Sequence, residues 1–292
     1  MASNDAVDLR RIDGRDLLCW RGSGCRCDRK KRDDDRAMAG SRCHRRGEFC
    51  LGPSEKEKPL MFTPGALRFL RQLKKHNEKP WFEAHREDYE AEVRGPMRAL
   101  IDDMDVHFAR FAPEIGADPK RSMFRIHRDI RFSKDKSPYK THAACWFHHR
   151  DATRRVGSEA TEGSAGFYFH LEPGRSMVGA GVWMPPRPQL HRLRAAIDDN
   201  PQSFDRVVRG LPRRFGGLDD ESVLKRMPRG YAEDHPAATW LRYQSFTTGR
   251  ALTDAQVTGS RLATLLADEF EAMLPLVRWL NQALGYRPAT AR

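Results

Sequence analysis

From about residue 124 to residue 183 the apolar residues recur at every second position, and on both sides of that stretch they recur at every third or fourth. Phe124 and Ile126 alternate with Arg125 and His127. Ala143, Cys145 and Phe147 alternate with Ala144, Trp146 and His148, and Phe167, Phe169 and Leu171 with Tyr168, His170 and Glu172. A period of two marks strands with one buried face, because successive side chains leave the backbone on opposite sides. Residues 175–183 read as a further strand, reached through the turn Glu172-Pro173-Gly174. The short links between the later strands suit antiparallel neighbours. Residues 150–164, polar and glycine-containing, read as a long hairpin loop.

Helical spacing flanks this core. Thr63 is suited to cap a helix, Pro64 to open it and Phe62 to staple onto Leu67, with Leu70 and Leu73 following. A second helix is expected from Pro80, its stripe running through Phe82, Tyr89, Val93, Met97, Leu100, Met104 and Phe108, kinked or split at Gly95-Pro96. Helices resume near Pro188 and again after Pro201. A strand is expected at 241–247, and a last helix carries Leu262, Leu266, Phe270, Met273, Val277 and Leu280, bent at Pro275 and closed by Gly285. Helices, then strands, then helices give the fold class α+β, with an antiparallel sheet of about four to five strands flanked by N-terminal and C-terminal helices. One domain over residues 60–290 holds all of it.

Residues 1–59 show no sustained periodicity. They are rich in Arg, Asp, Gly and Cys and read as a disordered basic tail, or as a leader outside the native protein if Met61 is the natural start. Five of the six cysteines lie there. Cys25, Cys27, Cys43, His44 and Cys50 carry zinc-ligand chemistry, but one CxC with unevenly spaced partners is not the paired-knuckle pattern, so the tail reading is preferred. No apolar run approaches a bilayer span and no apolar signal segment opens the chain, which makes the expected location cytoplasmic and excludes a membrane partner.

The formal charge is +12. Half of it sits in the 23 residues from 120 to 142, KRSMFRIHRDIRFSKDKSPYKTH. So dense a cluster repels itself unless an anion or neighbouring carboxylates offset it. Arginine's planar fork suits phosphate and carboxylate, whereas the glycines of a phosphate-cradling loop are missing. The candidate ligand-binding residues are Arg125, Arg128, Asp129, Arg131, Lys134, Asp135, Lys136, Tyr139, Lys140 and His142. Beside them stands a candidate catalytic set, Tyr168, His170 and Glu172, which strand spacing puts on one face opposite Phe167, Phe169 and Leu171. Trp146 and Trp183 fall on the same non-core face if the strands pair in register. Two plainer readings stand alongside: the Tyr/His/Glu face as ordinary exposed sheet, and Asp129 and Asp135 as salt-bridge partners of Arg128, Arg131 or Lys136. His142, His170 and Glu172 match a facial metal triad, but no spacing rule compels one, and the chain is read without a metal. His148, His149 and His76 read as loop and surface histidines.

The string FRIxRDxRFSKDKxPYKTH at 124–142, with FTPGALRFLRQLKKHNEKPWFEAHREDYE near the start and GFYFHLEPGRSMVGAGVW in the middle, resembles a widespread microbial family of conserved hypothetical proteins, classed only as a domain of unknown function. RGYAEDHP and PLVRWLN extend the resemblance to about residue 287. It implies a single cytoplasmic domain beginning near Met61, and it implies no reaction. The leader 1–60 departs from the family's pattern, and His127 stands where an aromatic is expected.

Three functions remain open at this level. The first is binding of, or action on, a small anionic ligand: the basic residues clamp the anion, and His170, oriented by Glu172, transfers a proton. The second is a nucleic-acid-binding module, drawn from the charge and from Phe132 and Tyr139 interleaved in the basic run. The third is a non-catalytic interaction protein using its long helices. No cofactor is implied by any of them.

Overall fold

The computed structural model describes residues 61–131, 134–152 and 163–289. The leader with its cysteines, Phe132, Ser133 and the tip of the long hairpin loop lie outside the described residues. The fold is α+β, as the periodicities require. Five strands, β1 (Ile115–Gly116), β2 (Ala143–His149), β3 (Gly166–Leu171), β4 (Ser176–Val182) and β5 (Phe246–Leu252), form one sheet in chain order, every neighbour antiparallel.

Thr63 opens α1 (Pro64–Lys75) as its side chain implied, accepting the Gly65 N–H at 2.9 Å. The helix expected from Pro80 is broken up. It runs as α2 (Lys79–Ala84), α3 (Arg86–Tyr89), a π-helical turn (Glu90–Arg94) and α4 (Gly95–Phe111). Its bulge therefore precedes Gly95-Pro96: without an N–H at residue 96, the wide turn absorbs the misfit before the proline. A short α5 (Pro119–Ser122) follows β1. After β4 come α6 (Arg187–Asp199), α7 (Pro201–Arg209), a 3-10 turn (Arg213–Phe215), α8 (Ala238–Leu241), and then β5, α9 (Asp254–Val257) and α10 (Leu262–Ala283).

Two expected strands need correction. Residues 241–247 belong mainly to the end of α8 and a turn, and the strand starts at Phe246. Residues 124–127 form no strand of the sheet: they run antiparallel to residues 138–145 through isolated bridges, Met123 to Cys145 and His127 to Tyr139, with the Phe124 N–H donating to the Ala144 carbonyl and the Lys140 N–H to the Ile126 carbonyl.

The alternation in β2, β3 and β4 holds. Cys145, Phe147, Phe167, Phe169, Val178 and Ala180 are buried on one face, where α4 and α10 pack against them. Phe108 of α4 sits at the centre, with ring centroids 5.1 Å from Phe147, 5.6 Å from Phe167 and 5.9 Å from Phe270. α6 and α7 pack beside α10: Phe204 meets Trp279 at 4.6 Å and Phe246 of β5 at 5.8 Å, and the Trp279 indole N–H donates to Ser203. Ion pairs tie the layers together: Glu114, just before β1, accepts from Arg278 of α10 at 2.7 Å. Glu269 of α10 accepts from Arg214 and from Arg250 of β5, both at 2.8 Å. No helix among the described residues is long and apolar enough to cross a membrane.

Candidate functional site

The sheet's second face is set by the same parity. The β2–β3 register puts Trp146 opposite Tyr168 and Ala144 opposite His170. The face is half-covered: Trp146, Tyr168 and His170 are all partly buried, while Trp183, at the end of β4, is 75% exposed. Gly166, Gly179, Gly181 and Gly249 share this face. At Gly181, where φ is +127°, an added Cβ would lie 1.9 Å from the Phe246 carbonyl oxygen across the β4–β5 pair.

Tyr168, His170 and Glu172 form a hydrogen-bonded chain. Glu172 stands 3.1 Å from His170 Nε2, and the Tyr168 hydroxyl 3.0 Å from Nδ1. A carboxylate only accepts, so in the neutral ring Nε2 carries the proton and Nδ1 accepts from Tyr168. Burial pushes the Tyr168 phenol up to about 12, so it remains a donor at neutral pH. His142 completes the cluster, its ring centroid 4.3 Å from that of His170. Burial, then the neighbouring His170, bring His142 down to about 4, leaving it neutral.

The basic segment divides into two parts. Arg125, Lys140 and His142 stay with the cluster. Lys140 lies 5.1 Å over the Phe124 ring, and Phe124 meets Tyr168 edge-on at 6.1 Å. Burial and then Arg125 hold the Lys140 ammonium below its ordinary value. The rest satisfies itself. Arg128 pairs with Asp135, Arg131 with Asp129 at 2.7 Å, and Lys136 donates to the Ile130 carbonyl. Asp135 also accepts from the Ser137 N–H, and Asp129 is held near 2, first by the Arg131 side chain and then by its backbone N–H. Lys134 is exposed. None of these six lines the cleft described next, so for this part the salt-bridge reading matches the geometry. Tyr139 is a core residue instead of a rim residue: it is buried, its ring stacks on Phe82 at 4.2 Å, and its N–H donates to Asn77. His148 and His149 are likewise buried, not on the surface. His149 Nε2 donates to the Arg287 carbonyl, and burial then the Arg121 guanidinium lower His148 to about 4.

A cleft of about 410 Å³ lies between the helices from α2 to α4 and residues 119–127. Its wall holds five cations, Arg86, Arg94, Arg98, Lys120 and Arg125, against one carboxylate, Glu90. Phe82, Tyr89 and Phe124 supply apolar surface. Arg86 and Arg94 are paired, with Glu83 and Glu90 at 2.7 Å each. Arg98, Lys120 and Arg125 make no salt bridge among the described residues. A narrower recess shares the Tyr89, Arg94, Phe124 and Arg125 wall and reaches Lys140, His142 and Ala144. The cleft and the His/Glu cluster are thus adjoining parts of one region, with His142 between them.

Sequence reasoning missed the helical half of this wall. Arg86, Glu90, Arg94 and Arg98 recur at intervals of four, a polar stripe that was legible. In an uninterrupted α-helix such a stripe drifts by about 120° over its length; one extra residue in a wide turn cuts the drift to roughly 20°. The π-helical turn between α3 and α4 therefore keeps the stripe facing one way.

The model of a conserved hypothetical protein family, DUF2461, matches residues 65–279. No curated protein matches the chain, and no solved structure does.

Proposed function

We propose, for a chain that belongs to the conserved hypothetical protein family DUF2461, that it binds a small anionic ligand bearing a phosphate or carboxylate group in the cationic cleft. One observation carries the reading: Arg98, Lys120 and Arg125, all exposed, line one open cleft without a salt bridge to any carboxylate among the described residues. Guanidinium groups grip phosphate and carboxylate oxygens in pairs, and several cations without partners around one cleft favour an anion. The aromatic surface from Phe82, Tyr89 and Phe124 suits a ligand with an apolar or planar body behind its charged group. Behind His142, which lines the adjoining recess, Tyr168, His170 and Glu172 offer proton transfer towards that ligand: the imidazole is oriented from both sides, and its Nε2 proton is shared with a carboxylate. The reading goes with a cytoplasmic location.

The test is thermal unfolding of the protein with inorganic phosphate, sugar phosphates, nucleoside monophosphates, dicarboxylates and short oligonucleotides, beside an Arg98→Ala, Arg125→Ala variant. A ligand at a hundred times its Kd stabilises by about 2.7 kcal/mol, which raises the midpoint of a domain this size by about 5–10 °C. One small anion should give that shift, and the double variant should bind it at least about tenfold more weakly. A shift from oligonucleotides alone, steeply reduced by salt, would replace the proposal with a nucleic-acid surface.

A further inference from the structure

We propose that His142, His170 and Glu172 form a binding site for one divalent transition-metal ion of the zinc class. Their ligating atoms, two imidazole nitrogens and one carboxylate oxygen, all lie within 4.8 Å of one another. The sheet produces this arrangement. His170 and Glu172 are two residues apart on one face, and the register that sets Ala144 opposite His170 and Ala143 opposite Leu171, continued by one residue, brings His142 opposite Glu172. The three donors thus come from two neighbouring strands, whose hydrogen-bonded backbones fix their spacing. Two imidazoles with one carboxylate is a donor set that holds zinc while leaving a position open, and it also serves other first-row ions. Magnesium and calcium are disfavoured, because both take oxygen ligands almost exclusively.

The surroundings supply independent support. A metal-binding histidine characteristically holds its other ring nitrogen against a hydrogen-bond partner, which fixes its tautomer and orientation. Tyr168 stands in that place, 3.0 Å from His170 Nδ1. With an ion on Nε2, Nδ1 would carry the ring proton and the Tyr168 oxygen would accept it. The turn bearing Glu172 is also tied down: its N–H donates to Ser176 Oγ at 3.1 Å, and that hydroxyl donates back to the Glu172 carbonyl at 2.9 Å. Among the described residues Glu172 makes no salt bridge with a lysine or arginine; its one ionic neighbour is His170. The ion would take the place of the Nε2 proton that Glu172 accepts in the metal-free chain. Its open position would be available to water or to an oxygen of a ligand entering past His142. The inference stands on the cluster alone, so it and anion binding in the cleft can fail separately; a bound ion would, however, remove the Nε2 proton on which the proton-transfer part of the anion reading depends.

The experiment uses the full chain with Cys19, Cys25, Cys27, Cys43 and Cys50 blocked by alkylation, because free thiolates would compete for the ion. The metal-free protein is titrated with cobalt(II) and then zinc, followed by elemental analysis and by the ligand-field absorption of cobalt. One equivalent per chain is expected, without a thiolate charge-transfer band. His142→Ala and Glu172→Gln should each weaken binding at least about 100-fold, and Tyr168→Phe, which removes only the orienting oxygen, by about tenfold. Thermal melts of the metal-free variants show that they fold; if His142→Ala does not, Glu172→Gln, which keeps the side chain's size, decides. Absence of a bound equivalent, or undiminished binding by Glu172→Gln, overturns the proposal.

Discussion

Replacing Glu269 by alanine should lower the thermal midpoint by about 5–10 °C at neutral pH, and that loss should shrink in acid. Glu269 is only 7% exposed on α10 and accepts one hydrogen bond from Arg214 and one from Arg250. Burial pushes its carboxyl up, but the two guanidinium hydrogen bonds outweigh burial and hold it below its ordinary value. The alanine variant takes the carboxylate acceptor from both guanidinium groups, leaving Arg250, the more buried of the two, with only the Ala251 carbonyl. Breaking a fully buried pair costs about 3–5 kcal/mol; with Arg214 at 45% side-chain exposure, about 2–3 kcal/mol is the expected cost, which gives that midpoint change. Because the folded-state carboxyl is depressed, its contribution is complete above the unfolded value and disappears as pH falls through the folded one. Melts at neutral pH and well below the ordinary value of 4.5 check both parts. A difference between wild type and variant that persists in strong acid would remove the ion pairs as its cause.

Phe108→Ala should cost more, about 3–5 kcal/mol, or on the order of 10 °C. The ring is fully buried and touches rings from two strands and from α10, so its removal opens a cavity that three elements border and none can fill alone. Val106, two residues away on the same helix, is 59% exposed, and Val106→Ala should change stability by no more than about 0.5 kcal/mol. Denaturant unfolding of the two variants gives the comparison. Equal costs would mean that α4 does not meet the sheet through Phe108.

The central strands were legible because burial on one face forces a period of two: β3 shows it in its burial, while in β2 and β4 the core face keeps the period although Ala144, His148 and the β4 glycines on the other face are buried too. β5 was not. Its sequence, FTTGRAL, is largely polar because it is the sheet's last strand, while Leu241 and Tyr243 just before it are buried for other reasons and imitate the alternation. A two-residue strand such as β1 carries no pattern to find. The Tyr168, His170 and Glu172 face could be read from parity alone, and its meeting with His142 follows from the register. The basic segment was harder, since a sequence displays charges and not their partners: Arg128 finds Asp135 seven residues on, and Arg131 finds Asp129 two residues back. The helical wall of the cleft was missed because its helices were read for their apolar stripe, although Arg86, Arg94 and Arg98 were in plain view on the other side.

The π-helical turn at Glu90–Arg94 has a consequence for how this cleft is inherited. Its alignment is encoded in chain length as well as in residue identity. Substitutions along the stripe change which charges face the cleft, but they leave the wall's orientation alone. Loss of a single residue within the turn would do the reverse, keeping every charge while swinging Arg86 and Tyr89 by about 100° relative to α4. Relatives that differ by one residue here would share the core and the sheet face yet present a different opening, so the wall's orientation is set by chain length in a way that a comparison of side chains alone would overlook.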